Sequence, residues 1–260
     1  MKDKQLISDI TQLTTSCNKL IGRQVLNLNI TDSTMDDTKS LAKKGAQEGL
    51  VVIADNQGKG RGRFNREWVT TPGQDLTISI LFKPSLKKLH MLNMAASLAI
   101  QDTISEIIKG PAVIKWPNDV LVEGKKVSGI LIETAMSTAN NVDFAVLGIG
   151  LNVNLDPTRV KVISQSAISI SQILRAPIDK YNVLSMLLSR IDQQYQLVLQ
   201  GEDLCSIWAP KVSTIGNHVK ISNGSKIITG RAVAVDSVGN LIVQTKQGDI
   251  KVTSGDVTLI

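Results

Sequence analysis

The spacing of apolar residues changes several times along the chain, and each change marks an element. Residues 2–20 carry Leu6, Ile10, Leu13 and Cys17 at the three-to-four spacing of an amphipathic helix. RQVLNLNI, with Val25, Leu28 and Ile30 apolar, is predicted as a strand. TDSTMDD is rich in residues that cap helix N-termini and leads into a helix ending at Gly45 or Gly49. LVVIAD (50–55) is a short apolar run suited to a buried strand, and DLTISILFK alternates apolar with polar positions. A long helix over 89–109 is apolar at Leu92, Ala95, Ala96, Ala99 and Ile107. AVIKW is a strand, VLVEGKKVSGILIET a hairpin turning at Glu123-Gly124-Lys125, and VDFAVLGIGLNVN a further strand with its exit. Helices are expected over SISQIL and from Tyr181 to Gln200. Helices interleaved with hairpin-joined strands predict an α+β fold whose sheet is mixed rather than wholly parallel.

From Lys211 the texture changes to short β-rich runs separated by NG, VGN and QGD turns. A boundary is therefore placed near Pro210. Residues 1–210 form the larger domain and 211–260 a compact all-β module, expected to be a small barrel.

Composition limits what chemistry the chain can perform. The 260 residues are 42% hydrophobic but only 3% aromatic, so the core must be aliphatic. A net charge of +6 favours anionic ligands without by itself implying nucleic acid. Cys17 and Cys205 match no metal or redox spacing, and with only His90 and His218 a zinc site or a Ser–His–Asp triad is hard to assemble. MKDKQLISDI is too polar for a signal peptide, and no apolar run nears the ~18 residues that span a bilayer. A cytoplasmic protein with no membrane partner is expected.

The most informative segment is Gln57-Gly58-Lys59-Gly60-Arg61-Gly62-Arg63-Phe64-Asn65-Arg66-Glu67-Trp68. Glycines let a backbone approach a ligand closely, and arginines offer planar forks of N–H donors to carboxylate and phosphate. A flexible RNA-binding patch is the competing reading, although such patches run longer and lack a Trp anchor. The P-loop pattern is absent, and Gly60-x-Gly62 and Gly148-x-Gly150 each lack the third glycine of the dinucleotide fingerprint.

Lys115-Trp116-Pro117-Asn118-Asp119 follows a strand, and Lys126 lies just past the next turn. A lone Lys is usually solvated and a lone Trp usually packs in a core. Here a cation, an amide and a possible magnesium ligand share one turn. With the loop, they supply what a carboxylate needs to attack the α-phosphate of ATP. That step brings two anions together, so positive donors and a metal matter more than a general base.

These segments resemble the biotin–protein ligase family. The loop is similar to its G-R-G-R-x-G-R-x-W signature and KWPND to a second; Lys126 in KKVSGILIE matches a catalytic lysine, ITDSTMDD its D-S-T-N segment, and LGIGLNVN a segment ending in an adenine-contacting Asn. The matches run in order from about residue 31 to 154. The resemblance implies a ligase that uses ATP and Mg²⁺ to activate biotin as an acyl-adenylate and passes it to a lysine of a biotin carboxyl carrier domain. It implies a biotin/lipoyl ligase-like catalytic domain with an SH3-like C-terminal barrel, and it leaves a homodimer open. Ser33, Thr34 and Gln57 would meet the ureido ring, with Met35 beside them. Arg61 and Arg63, with Gly62 between them, would hold the carboxylate and activated phosphate, and Trp68 would brace the loop. Lys126 would stabilise developing charge. Gly129 and Leu131 would offer backbone groups to biotin, Lys115, Asn118 and Asn152 would serve the nucleotide, and Asp119 the metal. The residue types suit these roles, since a neutral ureido group favours hydroxyl and amide partners and a carboxylate favours Arg and Lys.

Met35 stands where the family has Asn, and Asn65 where it has Gly, a position at which Asn tolerates the left-handed region. About 30 residues precede TDST, which leaves no room for the DNA-binding domain of the family's repressors, so a ligase with no DNA partner is expected. One rival is a lipoate or octanoate ligase on the same fold. Another is a non-catalytic RNA- or nucleotide-binding protein, against which the tail from Lys211 contains no Phe, Tyr or Trp for base stacking.

Overall fold

The computed structural model describes residues 4–6, 19–224 and 226–260. An eight-stranded sheet runs in the order β1-β2-β3-β4-β8-β7-β6-β5. Its strands are β1 (Lys4–Leu6), β2 (Val25–Thr31), β3 (Val51–Gln57), β4 (Leu76–Phe82), β5 (Val113–Lys115), β6 (Asp119–Val122), β7 (Lys125–Thr138) and β8 (Asn141–Leu151). Only β2 and β3 pair in parallel in this sheet, which is therefore mixed, as expected for an α+β chain. Of the helix expected over 2–20, residues 2–3 and 7–18 lie outside the described residues; Lys4–Leu6 instead form the edge strand on β2, and residues 19–20 are not helical.

Helix α1 (Thr34–Lys43) starts at the N-cap residue Ser33 and carries Asp36 and Asp37 in its first turn, where the helix dipole favours anions. It stops before Gly45, whose φ of +89° suits a residue without a side chain. Helix α2 (Met91–Ile108) presents Leu92, Ala95, Ala96 and Ala99 to the interior; the alanines let it lie close on the sheet. The short α3 (Ile170–Leu174) opens with a capping box between Ser169 and Gln172. It is followed by α4 (Lys180–Gln200), whose Tyr195 ring meets Phe82 of β4 edge-on, and by α5 (Leu204–Trp208).

The main core lies between the sheet and the α2/α4 side, and a smaller cluster of Leu26, Leu28, Met35, Val52, Phe144 and Val146 fills the α1 side. This explains why β4 departs from its sequence pattern. DLTISILFK alternates apolar with polar residues, yet all seven residues Leu76–Phe82 are buried. The polar positions find partners within the fold: Thr77 donates to the Ala54 carbonyl of β3, and Ser79 Oγ lies 2.8 Å from Thr34 Oγ of α1.

The β6/β7 hairpin turns on Glu123 and Gly124, both at positive φ, with Lys125 already the first residue of β7. The C-terminal residues form a five-stranded antiparallel sheet in the order β12-β11-β10-β9-β13. Its strands are β9 (His218–Asn223), β10 (Lys226–Val235), β11 (Leu241–Thr245), β12 (Gly248–Val252) and β13 (Asp256–Leu259). Trp116 is buried against this sheet and donates through Nε1 to the Gly239 carbonyl at 2.8 Å. KWPND is thereby fixed from both sides.

Candidate active site

One cavity of about 410 Å³ opens across the ends of β3, β4, β8, β7, β6 and β5. All fifteen residues singled out in the sequence line it: Ser33, Thr34, Met35, Gln57, Arg61, Gly62, Arg63, Trp68, Lys115, Asn118, Asp119, Lys126, Gly129, Leu131 and Asn152. Strand order sorts them. Residues 33–35 and Gln57 stand at the β3 end, whereas Lys115, Asp119 and Lys126 stand on β5, β6 and the start of β7.

The β3 end holds neutral polar groups. Gln57 Oε1 accepts from the Thr34 backbone N–H at 2.9 Å and from its hydroxyl at 3.2 Å, which fixes the carboxamide. Ser33, the N-cap of α1, makes no capping bond with its side chain. Met35 is 5% exposed, and its sulfur lies over Gly148 of β8, where a β-carbon would stand only 2.7 Å from Sδ.

The opposite end is ionic. Lys126 Nζ pairs with Asp119 Oδ1 at 2.7 Å and lies 5.4 Å from the centre of the Trp68 ring. The main chain of Lys126 is clamped to residues 166–168, donating to the Ser166 carbonyl at 2.8 Å and accepting from Ile168 N at 3.0 Å. Arg63 donates to Asn118 Oδ1 at 2.9 Å and to the Gly255 carbonyl at 3.2 Å. Burial lowers the pKa of Arg63, with the carboxylates of Asp119 and Asp256 opposing that shift. Asn118 Nδ2 donates to the Ile130 carbonyl at 2.7 Å, so both ends of that amide are engaged. Asn152 is buried and donates to the Ile168 carbonyl at 3.1 Å.

The basic loop folds between two anchors. Its first arginine, Arg61, grips Asp36 of α1 through two hydrogen bonds of 2.6 and 2.8 Å and lies 3.6 Å from Glu133 of β7. That guanidinium sits at the rim in a network completed by Lys39, rather than free in the cavity. Its last arginine, Arg66, pairs with Asp256 of β13. Phe64 and Asn65 both take φ of +57°, so Asn65 does occupy the left-handed region.

Sequence reasoning did not single out Gly148, Gly150 or Asp256, all of which line the cavity. The spacing Gly148-x-Gly150 is visible, but in the sequence it reads only as an incomplete dinucleotide fingerprint and is set aside. Asp256 carries no local signal and reaches the site only because the C-terminal sheet docks beside KWPND. Among the described residues no cluster of three His, Cys, Asp or Glu could hold a metal, and no helix is long and apolar enough to cross a membrane.

Residues 28–152 match the model of the Biotin/lipoate A/B protein ligase family, and residues 214–259 that of the Biotin protein ligase C terminal domain. The chain is 32% identical over 254 residues to the biotin--[acetyl-CoA-carboxylase] ligase of Mycobacterium tuberculosis, covering 92% of each protein. It is 30% identical over 246 residues to the bifunctional ligase/repressor BirA of Bacillus subtilis, covering 93% of this chain and 75% of that one. The biotin protein ligase of Aquifex aeolicus in complex with biotin and ATP superposes with a TM-score of 0.78 at 29% identity, over 91% of this chain and 98% of the other. Extended similarity in sequence and in structure agrees with the cavity lining, and the chain belongs to the biotin–protein ligase family.

Proposed function

We propose that this protein activates biotin with ATP to form biotinyl-5′-AMP and transfers the biotinyl group to a lysine of a biotin carboxyl carrier domain. The observation that carries this reading is the division of one cavity into a neutral hydrogen-bonding end and a cationic end. Biotin has the same polarity: a neutral ureido ring on an apolar body, joined by a chain to a carboxylate.

In this reading Ser33, Thr34 and Gln57, with main-chain groups of Gly129 and Leu131, receive the ring. The carboxylate reaches the cationic end, where Arg63 and Lys126 offset the repulsion between it and the α-phosphate. One carboxylate oxygen attacks the α-phosphorus, and the bond to the leaving pyrophosphate breaks. The acceptor amine then attacks the acyl carbon, AMP departs, and the amine gives up a proton. Lys126 stabilises charge in both steps. Asn118 acts on the nucleotide through Arg63, which it orients, and Lys115 and Asn152 border the nucleotide directly. Arg61 serves biotin by holding the loop on α1.

Magnesium usually binds through one or two carboxylates together with substrate phosphates. Asp119 beside Lys126 fits that mode and would hold the ion, which would neutralise phosphate charge.

We also read residues 211–260 as a separate C-terminal domain and its five strands as an SH3-like barrel. The strand order, with β9 paired to both β10 and β13, and the register shift in β10 between Ala232 and Ala234 support that reading. Biotin-dependent ATP–pyrophosphate exchange on the purified protein tests the function. Exchange with biotin and little with lipoate is expected; no exchange with biotin, or faster exchange with lipoate, would overturn it.

A further inference from the structure

We infer that Asp75 is a positioning residue for the nucleotide end of the site: its carboxylate fixes the main chain on which Asn152 stands and ties it to the segment returning from Trp68. The inference rests on the reading that Asn152 borders the nucleotide.

Asp75 lies just before β4 and is 4% exposed. Beyond the end of β8 the chain turns through Asn152–Leu155. Asp75 Oδ1 accepts there from Val153 N at 3.0 Å and from Leu155 N at 3.2 Å. Two N–H groups, two residues apart, converge on one oxygen, as in the main-chain nests that bind anions. Here the chain fills its own nest. The second oxygen, Oδ2, accepts from Thr71 N at 3.3 Å, three residues past Trp68. Asn154 N reinforces the junction by donating to the Gln74 carbonyl at 3.0 Å.

The arrangement is costly enough to call for an explanation. Burial pushes the Asp75 carboxyl pKa up, against the opposing N–H groups of Val153, Thr71, Leu155 and Asn154. An apolar residue at this position would avoid burying a carboxylate but would leave the Val153 and Leu155 donors without it. What the carboxylate secures is the path of residues 152–155. Asn152 N is bonded to the Val127 carbonyl at 2.9 Å and its amide to Ile168, so a shift at Val153 passes directly to the Asn152 side chain and to the strand carrying Lys126. The neutral end, by contrast, is held by the Thr34–Gln57–Ser79 bonds, none of which involves Asp75.

Asp75→Asn and Asp75→Ala separate this role from a merely structural one. The amide oxygen of Asn can still accept from Val153 and Leu155, while its NH₂ faces the Thr71 N–H and loses that bond. Expected results are a KM for ATP in pyrophosphate exchange raised about tenfold or more in Asp75→Ala and only a few-fold in Asp75→Asn. Biotin affinity, measured by calorimetry without nucleotide, is expected to stay within about threefold. An unchanged KM for ATP in both variants, or equal loss of ATP and biotin binding, would overturn the inference. If Asp75→Ala does not fold, Asp75→Asn decides alone: an ATP KM identical to that of the unmodified protein overturns it. Failure of the unmodified protein to exchange with biotin would instead count against the proposed function, and that arm is read first.

Discussion

Trp68 lies against Gly150 so closely that a β-carbon at Gly150 would stand 2.6 Å from the indole Nε1. Gly129, the cross-strand partner of Gly150, meets the same indole, with its β-carbon position 3.1 Å from Cζ3. Two missing side chains on adjacent strands thus form the seat that returns the basic loop to the sheet. The indole Nε1 is buried without a hydrogen-bond partner among the described residues, so shape rather than polarity holds the ring. Gly150→Ala should lift Trp68 from its seat and displace both the loop and the Lys126 ammonium above the ring. Pyrophosphate exchange is expected to fall about 10- to 100-fold, with thermal unfolding still cooperative. Exchange at the unmodified rate would show that the seat does not matter.

Lys126 and Arg63 are expected to carry charge stabilisation, and their partners make the test stringent. Removing Lys126 leaves Asp119 without its ion-pair partner inside the cavity. Removing Arg63 frees Asn118 Oδ1 and the Gly255 carbonyl as well. Lys126→Ala and Arg63→Ala should each lose most adenylation, on the order of 10²-fold or more in turnover, while remaining folded by circular dichroism. Normal turnover of Lys126→Ala at saturating substrate would remove that residue from the mechanism.

The loop's two anchors respond differently to substrate and to acid. Hydrogen bonds from Arg61, with help from Lys39 and against the opposing effect of burial, hold the Asp36 carboxyl well below its ordinary value of 3.8. A depressed carboxyl stabilises the folded form fully above its unfolded pKa, and the contribution is lost as pH falls through the lower folded value. The Arg61–Asp36 anchor should therefore hold throughout about pH 5–8. Limited proteolysis of the 57–68 loop should be independent of pH in that range, faster in Asp36→Asn, and slowed by biotin plus ATP. Equal cutting with and without the substrates would exclude closure of the loop on them.

Much of this architecture is legible in the sequence because local rules and burial agree. The hairpin at Glu123-Gly124, the stop of α1 before Gly45 and the helix over SISQIL each follow from a few adjacent residues. The site residues were legible as motifs, and the structure brings them into one cavity. What stayed hidden depends on contacts distant in sequence. The alternation of β4 cannot reveal that Thr77 bonds to β3 and Ser79 to α1. Arg61 looks like a ligand for anions until Asp36, twenty-five residues earlier, is seen to occupy it. Asp256 enters the cavity only through the docking of a second sheet.

Met35 and Gly148 offer a direct test of how the neutral end is shaped. The thioether fills the space a Gly148 side chain would take, with Sδ and Cγ at 2.7 and 3.1 Å from the β-carbon position. Because methionine is unbranched and flexible, Gly148→Ala should be absorbed by moving the sulfur rather than the backbone, costing only about 1 kcal/mol of stability. The displaced sulfur would narrow the end of the cavity beside Ser33, Thr34 and Gln57, and biotin affinity should fall about tenfold. Met35→Ala in the same chain removes the obstacle, so Gly148→Ala/Met35→Ala should bind biotin better than Gly148→Ala alone. That recovery is a coupling between touching residues, which independent effects cannot produce. Calorimetric titration of biotin into the unmodified protein, both single variants and the double variant measures it; losses that simply add would show that Met35 and Gly148 do not shape the ring site together.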